Sequence, residues 1–109
     1  MSGDVVPETR DWQAFEAEPN ESGGHFLSVS GEIKLGNANE VPHLILAEPP
    51  SLHPDELLLE LKVLPEGPSR FEWHWKRTRI LHSASAGQYA IVRVLWQGVE
   101  VAALQMPRV

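Results

Sequence analysis

"HFLSVSGEIKL", residues 25–35, is the stretch on which the fold turns. Read with a period of two, His25, Leu27, Val29, Ile33 and Leu35 fall on one face, and Phe26, Ser28, Ser30, Glu32 and Lys34 fall on the other. Side chains alternate across a strand, so the pattern predicts a long strand with one buried side. Gly31 interrupts the apolar row. A glycine there predicts a bulge, or a group lying close against the backbone.

Toward the C-terminus the same period recurs. "GNANEVP" (36–42) is turn chemistry, and "HLILA" (43–47) is a short apolar strand stopped by Pro49 and Pro50. In 57–63, Leu57, Leu59, Leu61 and Val63 alternate with Leu58, Glu60 and Lys62. Leucine and glutamate also favour helix, which leaves a helix over 54–63 as the alternative. The alternation and the "PEGP" turn at 65–68 argue for a strand. "RFEWHWKRTRI" (70–80) then pairs with 57–64 as a hairpin in this reading. Phe71, Trp73 and Trp75 share one of its faces; Arg70, Glu72, His74 and Lys76 share the other. Arg77 and Arg79 fall on the aromatic face unless a one-residue bulge near 76–77 shifts them. The last two strands, 88–96 and 99–106, flank Gln97-Gly98, a type I′ hairpin signal. The whole reads as an all-β chain of about six strands, an antiparallel β-sandwich or a small open barrel. It lacks the Cys-Trp-Cys frame of immunoglobulin domains.

The N-terminal end differs. Residues 1–23 read as an acidic arm and linker, and 24–109 as the sandwich domain. The chain carries a net charge of −6, of which −5 lies in residues 1–22. Residues 70–79, by contrast, sum to +3. Trp12 and Phe15 stand three apart among helix formers, which predicts a short helix over 8–18, with a disordered arm as the alternative. In the helical reading Trp12 and Phe15 are apolar anchors, and Asp11, Glu16 and Glu18 face Arg77 and Arg79.

No signature of catalysis stands in the chain. It has no cysteine, which excludes disulfides and thiolate metal sites and fits a reducing, cytoplasmic setting. No apolar run has the length of a membrane span, so a soluble protein is expected. The five histidines form no metal-binding spacing. Glu72 and His74 are the one candidate acid/base or two-ligand pair, and on them an enzymatic reading would centre. Ser83 and Ser85 fit no nucleophile elbow, "ESGGH" (21–25) is no phosphate loop, and nothing calls for a metal or cofactor.

Three alternating aromatics read first as core, because each ring buries about 150–250 Å². The alternative is a platform in which Phe71, Trp73 and Trp75 stack carbohydrate or another ligand beside Arg77 and Arg79. The near-neutral body weighs against nucleic acid. The proline-bearing loop "LAEPPSLHP" (46–54) is a further segment a partner can grip. The expectation is a non-enzymatic protein-interaction domain whose binding residues are Trp12, Phe15, Trp73, Trp75, Arg77 and Arg79. Its partner is another protein or a second copy, joined as a homodimer through the edge strand 98–106.

Overall fold

The computed structural model describes residues 6–17, 25–85 and 87–106. The alternating segments form β1 (Thr9–Ala17), β2 (Phe26–Asn37), β3 (Glu40–Leu46), β4 (Glu56–Pro65), β5 (Phe71–Ser83), β6 (Ile91–Trp96) and β7 (Val99–Gln105). No helix occurs among the described residues. One sheet has the order β1-β2-β5, the other β3-β4-β6-β7.

The core lies between the sheets. Leu27, Val29, Ile33 and Leu35 of β2 cluster with Leu57, Leu59 and Leu61 of β4, and with Val92 and Val94 of β6. These are the alternate residues of each strand, so one face of every central strand is buried. Full burial of such a side chain contributes about 1.5–3 kcal/mol. The segment that had helix as its alternative is thus a strand, because Leu57, Leu59 and Leu61 need a common face toward β2.

The N-terminal arm is corrected. The helix predicted over 8–18 does not form, and seven strands stand among the described residues where about six were counted. β1 pairs antiparallel with β2, from Thr9 opposite Ile33 to Ala17 opposite Phe26. A helix of ten residues is marginal alone, whereas the edge of β2 supplies a hydrogen-bond partner to every second residue. A bulge between Arg10 and Gln13 interrupts the register, with Asp11 at φ 56°. The extra residue turns Trp12 inward, where it packs against the core. The close approach expected at Gly31 is the Trp12 ring: a Cβ built on Gly31 would overlap it.

β5 is also re-partnered. It pairs with β2 and lies in the other sheet from β4, so the hairpin expected between 57–64 and 70–80 is absent. Because β5 crosses between the sheets, β4 and β6 become neighbours in parallel, the one non-antiparallel pairing among the described strands. Two asparagines of the β2–β3 turn brace that crossover. Asn37 Oδ1 accepts from the backbone N–H of Arg70 at 2.9 Å, and Asn37 Nδ2 donates to Ser69 Oγ at 2.8 Å. Asn39 Nδ2 donates to the carbonyl of Gly67 at 3.1 Å. The bulge expected near 76–77 is not there. The β2–β5 register runs unbroken from Leu35 opposite His74 to Phe26 opposite Ser83, and its irregularity lies between Leu35 and Asn37. Thr78, buried, donates its hydroxyl to the Pro42 carbonyl at 3.2 Å and ties the edges of the two sheets together. The last hairpin turns as its sequence predicts, with Gln97 at φ 48° and Gly98 at φ 84°.

Candidate functional site on the outer face of the three-stranded sheet

Residues opposite each other in a ladder share a face. Val29 opposes Ile80, Gly31 opposes Thr78, Ile33 opposes Lys76 and Leu35 opposes His74. Since β2 buries its odd-numbered residues, β5 turns its even-numbered residues inward. Trp73, Trp75, Arg77, Arg79 and Leu81 therefore point outward, with Phe71 beside them. The aromatic strand expected to fill the core instead exposes its rings, Phe71 by 77% and Trp73 by 63%. The inward row holds Thr78, Ile80 and half-buried His74 and Lys76, which no hydrophobicity pattern singles out.

Cations sit among the rings. The Arg10 guanidinium lies 3.8 Å from the centre of the Trp75 ring, and the Lys34 ammonium 5.6 Å from that of Trp73. Both are within the reach of a cation–π contact. Phe71 meets Trp73 edge to face, with centroids 6.0 Å apart and ring planes at 81°. Arg10 also donates to Glu32 Oε1 at 2.8 Å. That hydrogen bond, aided by the charges of Arg10 and Arg77, holds the Glu32 carboxyl below its ordinary value. At the far end of the face, Phe15 and Leu81 flank buried Ser28 and are each about half exposed, at 46% and 53%.

Of the six binding residues expected from sequence, five share this face: Phe15, Trp73, Trp75, Arg77 and Arg79. Trp12 does not, being under the sheet. The acids expected opposite Arg77 and Arg79 lie elsewhere. Asp11 is 3.8 Å from Arg10, Glu16 accepts from the Gly87 N–H at 2.6 Å, and Glu18 is outside the described residues. Neither Arg77 nor Arg79 forms an ion pair among the described residues. Lys34 and Glu32 were legible as the polar face of β2. Arg10 was not, because its place depends on β1 being a strand.

The Glu72–His74 pair is not assembled. His74 Nδ1 is 3.0 Å from the Glu72 backbone oxygen, while the Glu72 carboxylate lies 3.4 Å from Arg70. Among the described residues no three His, Asp or Glu side chains are placed to hold a metal ion. A concavity of about 370 Å³ opens beside the 46–54 loop, lined by Leu46, Pro50, His53, Glu56, His82 and Tyr89 among others. Its carboxylate is already engaged. Ser51 donates to Glu56 Oε1 at 2.5 Å and Arg93 to Oε2 at 2.7 Å, which together hold that carboxyl below its ordinary value. No helix among the described residues is long and apolar enough to cross a membrane. Compared with protein-family models, with curated proteins and with solved structures, the chain matches none.

Proposed function

We propose that this chain is a non-enzymatic protein-interaction domain that binds its partner through the outer face of β1-β2-β5. One observation carries the reading: Phe71 and Trp73 stand exposed on a face that also presents Arg10, Arg77 and Arg79. Tryptophan and arginine are enriched among the residues that dominate protein interfaces, because large rings and planar guanidinium groups bury much area with little entropy loss. The rings also argue against a sugar platform. Stacking needs open, roughly coplanar faces, but Phe71 and Trp73 are nearly perpendicular and Arg10 covers Trp75.

The test is affinity capture with wild-type protein, a Phe71→Ala, Trp73→Ala double variant, and Ile45→Ala, a control on the outer face of the other sheet. The expected result is a protein partner retained by wild type and control and lost with the double variant. Oligosaccharide binding that shifts tryptophan emission, with no such protein, would replace this reading with the ligand-binding one.

A further inference from the structure

We infer that the partner presents an extended, acidic segment of another protein, laid along β5 with its carboxylates over Arg77 and Arg79. The inference rests on the interaction reading above and names the chemistry of the partner.

Charge and spacing both carry it. The face holds Arg10, Lys34, Arg77 and Arg79; among the described residues the acids near them are exposed Glu8, whose backbone carbonyl accepts from the Lys34 N–H, and Glu32 and Asp11, which lie 2.8 Å and 3.8 Å from Arg10. Arg10 takes the ion pairs of Glu32 and Asp11, and Glu32, opposite Arg77 in the ladder, offsets that charge only in part; neither Arg77 nor Arg79 has an ion pair among the described residues, which leaves both open to an outside group. These two arginines lie two residues apart on one face of a strand, so their bases are separated by roughly 6.6 Å. An extended chain places its own i and i+2 side chains at the same interval, so alternate Asp or Glu residues match both arginines at once. Arginine binds carboxylates through two parallel N–H···O contacts, which favours this pairing. The flanks add order. Phe71 and Trp73 lie on one side of the arginines and Leu81, with Phe15 across β2, on the other. The face therefore reads apolar, basic, apolar along β5, and the segment that fits it reads apolar, acidic, apolar.

Three features argue for a peptide over a nucleic acid strand. Successive bases need open ring faces to stack on. Trp75 is covered by Arg10, and Phe71 stands edge-on to Trp73. The whole chain is also negative, at −6, so a long polyanion is repelled beyond this face.

The experiment uses full-length protein and a fluorescein-labelled peptide with Glu at two alternate positions flanked by Leu and Phe, followed by anisotropy. Saturable binding is expected that weakens with added salt. Arg77→Gln with Arg79→Gln should weaken it roughly tenfold, through the loss of two exposed charge contacts. The same peptide with Lys in place of Glu should not bind. Circular dichroism confirms that the variant is folded. No saturation up to about 1 mM peptide, or equal affinity for the double-glutamine variant, overturns the inference. So does tighter binding of a single-stranded oligonucleotide of equal charge. Sedimentation showing that Arg77 and Arg79 govern self-association instead would make a second copy the occupant and overturn it too. If capture through Phe71 and Trp73 succeeds while this peptide fails, the interaction reading stands and only the acidic partner is lost.

Discussion

Replacing Gly31 by alanine should detach the N-terminal strand, and the size of the effect can be worked from the packing. Gly31 lies on the inner face of β2, and the Trp12 ring occupies the place of its missing Cβ, which would meet Cδ2, Cε3 and Cζ3 of the indole. These atoms lie in the body of a rigid ring, so the contact is relieved only by moving the whole side chain. Overpacking of this kind costs about 1–3 kcal/mol. Removing a mid-strand glycine returns roughly 0.5–1 kcal/mol through the unfolded chain. Gly31→Ala should therefore lower stability by up to about 2.5 kcal/mol, or as much as some 20 °C in Tm. In a Trp12→Ala background the obstruction is gone, and the same substitution should be neutral or stabilising by about 0.5–1 kcal/mol. The coupling between the two sites is then about 1–3 kcal/mol, well above the scatter of independent sites. Urea denaturation of the four proteins, followed by far-ultraviolet circular dichroism, measures it. Equal cost of Gly31→Ala in both backgrounds would refute the claim that Trp12 is why residue 31 is glycine.

Other outcomes follow from the same geometry. Leu59→Ala, at a fully buried site, should cost about 2–5 kcal/mol, whereas Trp73→Ala, on the exposed face, should stay within about 0.5 kcal/mol; thermal melts compare them. Glu32 and Glu56 both titrate below the ordinary 4.5, so each contributes stability above that pH and loses it as acid protonates the folded protein. Unfolding free energy should accordingly fall as pH drops below about 4.5, and Arg10→Met with Arg93→Met should flatten that acid limb; an unchanged limb in urea titrations counts against both pairs. Gly98→Val should destabilise by at least about 1 kcal/mol, because Gly98 sits at φ 84° in the β6–β7 turn, and a neutral result in chemical denaturation would contradict the turn assignment.

Local pattern was sufficient wherever one residue row had a single place to go. The alternation in 25–35 and 57–63 specifies which side chains of β2 and β4 are buried, because leucine, isoleucine and valine at every second position cannot all be exposed. Gln97-Gly98 specifies its turn, since few residues accept two successive positive φ angles. Gly31 was legible as a close approach, though not what approaches. The tertiary structure decided the rest. Residues 9–17 carry only two large aromatics, too few for a helix to stand alone, and the unpaired edge of β2 makes them a strand. The face of β5 was undecidable from its own residues, because Phe71, Trp73 and Trp75 are the more apolar set and yet lie outside. Once β2 committed Leu27, Val29, Ile33 and Leu35 to the core, ladder pairing forced Lys76, Thr78 and Ile80 to the same side. The aromatics were left to the surface because a strand has only two faces and its neighbour had already chosen one.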